Sequence, residues 1–447
     1  IVMMFSGIFF QKAGTVRLAA LAGIIILLAA NIAELHGCRL FTVDTHGMLS
    51  FNNFSLVFNA LMFACTLLFL LLSSGDILQV GKYYAEYFAL LFFVLCGVSI
   101  ASSFTSLLLL FLGIEIISIP LYILTGADKK NLKSNEASLK YFLMGSFSTG
   151  IMIMGIALIY GARGSFQLDG MNTALQAGLD PLLMGGLLLL LASMAFKVSA
   201  APFHFWAPDV YDGAPTPFAS FMATIVKAGA FIAFLRLFDG AYGHLSGNWK
   251  LLIALIVAAT LFVGNITAIF QQSVKRMLAY SSVAHAGFLF FTLFSYNDLA
   301  KEGMILYVTA YSIATIGLFA VRGKIKDYTF EGYNGLAKSQ PVLAATSAIF
   351  LFSLAGIPLT AGFAAKFYVL AAALKTGVYG WLVIFAVICA AISTYYYFRV
   401  IQAMYFKPGA GETSAISPSF KTWLIVAAAL IILLGIFPQL LFYKLYF

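Results

Sequence analysis

Charge is scarce in this chain. Only 10% of its 447 residues are Asp, Glu, Lys or Arg and 62% are hydrophobic, whereas a soluble domain carries roughly 25% charged residues. That balance leaves no room for a soluble domain. Cysteine is nearly as rare: Cys38, Cys65, Cys96 and Cys389 are scattered, with no pair at metal or redox spacing, and thiols in apolar helices are usually small hydrophobes. No Gly-rich phosphate loop, haem attachment motif or HExxH occurs, so the chain reads as free of cofactors. The net charge of +9 is a matter of topology, and no nucleic-acid partner is expected from it.

What the chain has in abundance is apolar runs of about 20 residues, the length of a membrane-crossing helix; β-barrel strands would alternate over about 10. Runs and turn punctuation predict fourteen spans, near 1–10, 16–34, 54–73, 84–101, 104–125, 137–160, 182–203, 217–238, 250–271, 276–296, 302–321, 342–374, 379–405 and 420–441. The first is too short to cross about 30 Å of hydrocarbon, and the expectation is that its helix starts before Ile1; the alternative, the remnant of a cleaved signal, lacks a small-residue cleavage site. Lys and Arg in loops after odd-numbered spans outnumber those after even-numbered ones by about two to one. The odd loops are thus expected to face the cytoplasm, with both termini on the opposite side. Arg39 and Lys444 are among the even-side residues in that comparison.

Two spans are interrupted. The seventh runs into Lys197-Val-Ser-Ala-Ala-Pro202, and the twelfth carries Gly356-Ile-Pro358-Leu-Thr-Ala-Gly362. Proline removes an amide donor and Gly admits unusual backbone angles, so both read as broken helices. Such backbone survives at membrane depth only when packed in protein or lining a wet cavity. A shift of 160 residues lays one break on the other, Ser193 on Ser353, Ala195 on Ala355, Ala201 on Ala361 and Phe203 on Phe363. Each break is fourth in a group of five spans, and because five is odd the two groups must insert in opposite orientations. The predicted fold is an all-α polytopic membrane protein of about 14 helices. It holds two inverted five-helix repeats, 84–238 and 250–406, each with a broken helix. Flanking helices are expected over 1–83 and 420–447.

Few ionisable groups fall within the spans: Glu115, Lys197, Lys227, Lys366, Arg399 and His285, with His204 at a helix end. A charged residue at the bilayer centre opposes insertion by about 2.5–3.5 kcal/mol and usually faces a bundle interior or water. Each has a plainer explanation. Glu115 and Lys197 would form a structural pair, Lys227 and Arg399 would snorkel, freed carbonyls would satisfy Lys366, His285 would bond between helices and His204 would cap a break. Their co-occurrence favours a shared role in moving protons. Desolvation disfavours a charged amine and a nearby carboxylate restores it, so an amine alternately paired and unpaired is a switchable proton site. A swing of three pH units is worth about 4 kcal/mol, against about 2.3 kcal/mol for one charge through 100 mV. Tyr280, Ser281, Ser282, Thr309, Tyr311, Ser312 and Thr315 supply hydroxyls for water chains between such sites.

The segments LFLGIEIISIPLYIL, AFKVSAAPFHFWAPDVYDGAPTPFASFMATIVKAGAF, SVKRMLAYSSVAHAGF and AGIPLTAGFAAKFYVL resemble the antiporter-like membrane subunits of respiratory complex I. VYDGAPTPF with Lys227, and the lack of a long lateral helix after Phe447, look like the chain N class of bacterial NADH:quinone oxidoreductase. The resemblance extends from about Leu56 onward and implies fourteen helices with two inverted repeats. It makes Glu115 the fifth-helix glutamate, Lys197 its broken-helix partner, and Lys227 and Lys366 the eighth- and twelfth-helix lysines of a lateral proton path, with His204 and His285 in the same motifs. It also implies a redox-inactive subunit in a bacterial cytoplasmic membrane, beside other antiporter-like chains, with NADH, FMN, Fe-S clusters and quinone in partner subunits. A multi-subunit cation/proton antiporter and a scaffold whose buried charges only hold helices together remain the alternatives.

Overall fold

The structure is a computed structural model describing residues 2–9, 12–38, 45–168, 180–241, 247–295, 297–377, 379–409 and 411–442; Arg39 and Lys444 lie outside them. Among the described residues the regular structure is helical, with only isolated β-bridges besides. The helices are α1 Val2–Phe9, α2 Ala13–Leu35, α3 Asn53–Val80, α4 Tyr84–Ser103, α5 Leu107–Thr125, α6 Leu132–Arg163, α7 Pro181–Lys197, α8 Trp206–Gly213 and α9 Thr216–Phe221. A π-helical turn, Met222–Val226, joins α9 to α10 Lys227–Ala241. Then follow α11 Gly247–Ile269, α12 Val274–Leu289, α13 Phe291–Ser295, α14 Asp298–Lys324, α15 Leu336–Ser339, α16 Pro341–Ala355, α17 Ala361–Lys375, α18 Gly380–Phe406 and α19 Pro418–Ile436. Among the described residues ten helices are long and apolar enough to cross a bilayer, and α7 and α16 are the shorter apolar halves of the two broken spans. The membrane fold expected from the sequence is therefore the one observed.

Several boundaries move outward from the hydropathy limits. Asn131 accepts a hydrogen bond from Lys133 N, so α6 begins five residues before its apolar run, and α3 continues to Val80 and carries Asp76 along. A capped helix does not stop where its hydrophobic stretch does. Lys133, Lys275, Arg322 and Lys324, read as loop cations, stand in the end turns of helices, and Lys140 stands in the third turn of α6. Pro120 sits inside α5, and the tenth span divides at Phe290 into α12 and α13.

The connections gather in two sets, as alternating spans require. On one side bridges join Ser273 to Thr329 and Ile325 to Thr413, and Lys326 meets Glu412 at 3.2 Å. On the other, Leu49 bridges Phe104, Ser106 bridges Gln167, and the Arg236 guanidinium donates to the Phe104 carbonyl at 2.9 and 3.2 Å. The helix from Thr216 through Phe238 and α14 lie in the interior, whereas α2 turns most of its apolar face outward.

The two breaks share a backbone device. Pro181 and Pro341 open α7 and α16, and Ser199 and Leu359 both take positive φ, 62° and 70°; each pair is 160 residues apart, the shift found in the sequence. Only a structure held from outside keeps non-glycine residues there. In the first break the Trp206 indole donates to the Phe196 carbonyl at 3.1 Å, and Ala201 N donates to Thr260 Oγ1 at 2.9 Å. In the second, Gly356 ends α16 at φ 87° and Gly362 N donates to Ser353 Oγ at 3.1 Å. A Cβ on Gly362 would run into the Ser353 carbonyl. The freed backbone groups of both breaks are thus met inside the protein, as a bilayer demands.

Candidate functional site

Three of the six sequence-derived relay candidates, Lys197, Lys227 and Lys366, stand on the broken or π-distorted helices. Lys197 is the last residue of α7, and its Nζ lies 3.6 Å from Glu115 Oε1 on α5, with side chains 8% and 17% exposed. Thr149 on α6 donates to the same carboxylate at 2.7 Å, and Lys197 donates to Ser118 at 3.1 Å and to Thr149 at 3.3 Å. The carboxylate and amine face one another with the Thr149 hydroxyl bonded to both, a pairing loose enough to open without leaving either group bare.

Lys227 starts α10 directly after the π turn and is 2% exposed. π-bulges are frequent at functional sites because they displace one residue from the regular helical ladder. Its Nζ donates to the Ser282 carbonyl at 2.8 Å and to the Ser282 hydroxyl. Snorkelling is thereby ruled out for Lys227: the amine ends on α12, inside the bundle.

Lys366 on α17 is 7% exposed and donates to the Leu354 and Ala355 carbonyls at 2.8 and 2.9 Å. These are the last acceptors of α16, freed by the break. The Phe288 ring lies 4.9 Å from the same Nζ, a cation–π contact. Beside it is a cavity of about 10 Å³ lined by His285, Tyr307, Tyr311, Ser353 and Lys366, about what a single water requires. His285 holds Tyr307 by Nδ1 at 2.7 Å and Tyr397 by Nε2 at 3.1 Å, and Tyr397 bonds Ser281. Ser282, which takes Lys227, and His285, which faces Lys366, lie one turn apart on α12.

The remaining residues divide. Arg399 caps α11 through the Ile269 carbonyl at 2.7 Å and stacks on Phe330 at 4.1 Å, a structural position rather than a snorkel. His204 is buried in the turn of the first break, and its Nδ1 has no hydrogen-bond partner among the described residues; no bond joins it to a relay lysine. Ser281 and Ser282 take the places given above, Thr309 bonds back to the Ile305 carbonyl, and the Ser312 and Thr315 hydroxyls are buried without hydrogen-bond partners among the described residues.

Sequence reading missed Thr149, Tyr307, Tyr397 and Tyr211. The Tyr211 hydroxyl points to the Met222 carbonyl at 3.5 Å, near the Ser282 hydroxyl that holds Lys227. Tyr307, Tyr311 and Thr315 follow the i, i+4 spacing of one helix face, a signal that was available. Thr149 and Tyr397 carry no such signal, since their partners come from other spans. Among the described residues no group of three or more His, Cys, Asp or Glu gathers as for a metal.

The same arrangement of chain exists elsewhere. Residues 104–393, which hold every relay candidate, match the NADH:quinone oxidoreductase/Mrp antiporter transmembrane family. The chain is 41% identical over 432 residues to NADH-quinone oxidoreductase subunit N of Cytophaga hutchinsonii, covering 94% of this chain and 92% of that one. The chain belongs to the NADH:quinone oxidoreductase/Mrp antiporter family. A second relative, subunit N of Trichlorobacter lovleyi, is 39% identical over 87% of this chain and 82% of its own. Among solved structures, a chain of respiratory complex I from Thermus thermophilus with bound aureothin superposes with a TM-score of 0.85 at 32% identity, covering 98% of this chain and 95% of that one. A chain of the Mrp complex from Dietzia sp. DQ12-45-1b reaches 0.84 at 18% identity over 99% and 94%, a likeness of fold alone.

Proposed function

We propose that the chain is a membrane-arm subunit of a bacterial NADH-quinone oxidoreductase, carrying protons across the inner membrane while quinone is reduced in partner chains. In this reading it lies beside other antiporter-like subunits and has no electron-transfer site of its own, NADH, FMN, Fe-S clusters and quinone belonging to its partners. The subunit N relatives, at 37–41% identity in several bacteria, favour it over a cation/proton antiporter. The odd-numbered connections, richer in Lys and Arg, face the cytoplasm and both termini the other side.

One observation carries the proton relay: three buried amines with different acceptors. Lys197 has a carboxylate at 3.6 Å, while Lys227 and Lys366 rest on neutral carbonyls and a hydroxyl. A neutral acceptor holds an ammonium without fixing its charge, so the proton can leave; opening the Glu115–Lys197 pair changes the field in which the next amine titrates. The Glu115–Lys197 pair tunes this line electrostatically, and protons pass through Lys227 on Ser282, then along α12 by His285 and the small cavity to Lys366. The repeats 84–238 and 250–406 each contribute one end of this line.

The test is proton uptake driven by NADH in vesicles bearing the whole complex. Glu115→Ala, Lys227→Ala and Lys366→Met are expected to leave the complex assembled and its artificial-acceptor NADH oxidation intact, while lowering pumping. Normal pumping by assembled variants would mean the charges are scaffold. Sodium transport in vesicles without NADH would point to an antiporter.

A further inference from the structure

Away from the central line, a cavity of about 200 Å³ opens between the first turns of α6, α8 and the start of α12, lined by Lys133, Glu136, Lys140, Asp209, Asp212 and Arg276. It lies on the side where the basic connections gather. Lys140 meets Glu136 at 2.7 Å and Asp209 at 3.3 Å, and Arg276 meets Asp209 at 2.8 Å. Ion pairs with exposed members contribute little to stability; here they line a polar opening.

Behind it stands Lys275, next to Arg276 on α12, only 6% exposed. Its Nζ turns inward to the Asp212 and Ala214 carbonyls at 2.8 and 2.6 Å, and no carboxylate lies within ion-pair distance among the described residues. Asp212, Arg322 and Lys133 are the charged groups facing it, with Arg276, Lys140, Asp209 and Glu136 farther around the opening. Its coordination is that of Lys366: an amine on two carbonyls at the end of a half-helix, α8 here and α16 there. Seven residues, two turns or about 10 Å, separate Lys275 from Ser282 on the same helix, and Tyr211, one residue from Asp212, has its hydroxyl beside Ser282.

Resting on the relay reading above, we propose that Lys275 is the residue that takes up the proton from water in this cavity and hands it to Lys227. The neutral amine accepts a proton from a hydronium ion, forming an N–H bond and leaving water. That bond then breaks as the proton moves through the Tyr211 and Ser282 hydroxyls, each giving one proton as it receives another, to the neutral amine of Lys227. No oxidant or second reactant is needed.

A clamp that merely fixes the turn after α8 would be preserved by Lys275→Arg, which keeps the donors and the charge but cannot release a proton. In the intact complex, K275R is expected to keep artificial-acceptor NADH oxidation and to lower proton uptake about tenfold or more, as loss of a proton-transfer group does. Wild-type pumping by K275R would overturn the proposal. Glu136→Trp, which fills the exposed wall of the cavity without touching Lys275, should lower uptake in the same way, and unchanged uptake there would also overturn it. K227R run in parallel separates the two readings: if it pumps normally the relay itself fails, whereas if K227R is impaired and K275R is not, only the uptake step fails.

Discussion

The two broken helices close the same gap with different donors. Trp206 and Lys366 are separated by the 160-residue shift that superposes the breaks, and each donates to carbonyls that end the preceding half-helix: the indole to Phe196 at 3.1 Å, the amine to Leu354 and Ala355 at 2.8 and 2.9 Å. An indole N–H never leaves at physiological pH, and an amine can exchange its proton. In the first break the amine sits elsewhere, at Lys197, on a carboxylate rather than on carbonyls. One backbone device is thus closed by an indole, with an ion pair nearby, at the first break, and by an amine at the second. The breaks supply polar backbone at membrane depth; under the proposed relay, the side chain placed there decides whether that backbone is only satisfied or also carries protons.

The sharpest way to break this comparison is to make the second break as inert as the first. Lys366→Arg retains the carbonyl contacts but cannot deprotonate, so NADH-driven pumping by the assembled complex is expected to fall by about a hundredfold; pumping within twofold of wild type would show that Lys366, like Trp206, is only a plug. Next in size is Gly362→Ala, whose new methyl would occupy the space of the Ser353 carbonyl. The second break then has to reopen, and assembly or thermal stability should drop by about 3 kcal/mol or more, whereas Ala at Gly150, which meets nothing within 4 Å, should leave both unchanged.

Smaller effects test the charge-paired end. Glu115→Gln leaves the Lys197 charge without its partner and is expected to destabilise the chain by up to about 3 kcal/mol, a loss that Glu115→Gln with Lys197→Met should partly restore. Equal melting of the single and double variants would argue against coupling. Trp206→Phe keeps most of the ring packing but removes the donor to Phe196, which predicts a loss of about 1–3 kcal/mol with pumping per NADH unchanged. A pumping defect in that variant, at normal assembly, would erase the distinction between the two ends.

A third region lies outside the comparison and was not foreseen. Asp76 and Lys324 pair at 2.5 Å with side chains 15% and 13% exposed, and Lys324 lies 5.2 Å from the Phe420 ring. This contact ties the flanking helices α3 and α19 to the end of α14, the helix that brings Tyr307 and Tyr311 to His285. Hydropathy placed Asp76 beyond the end of its span because apolar residues thin out there, although the helix continues. The spans, the two interruptions and the six candidate residues were legible because helix length and proline or glycine punctuation are local properties. Thr149, Tyr211 and Tyr397 were not, since each matters through a residue at least 60 positions away in the chain or on another helix.

By itself the sequence determined that this is a many-span helical membrane protein, broken twice at a fixed interval, with a handful of ionisable residues where lipid forbids them to face outward. Those follow from composition and periodicity, which the bilayer reads residue by residue. Tertiary structure decided what each buried amine rests on: Lys197 against a carboxylate, Lys227 against Ser282, Lys366 on its own broken helix, and Lys275 out of the connection where hydropathy put it and under an open cavity. Acceptors come from other helices or from carbonyls that exist only once a helix has been broken, so no local pattern announces them.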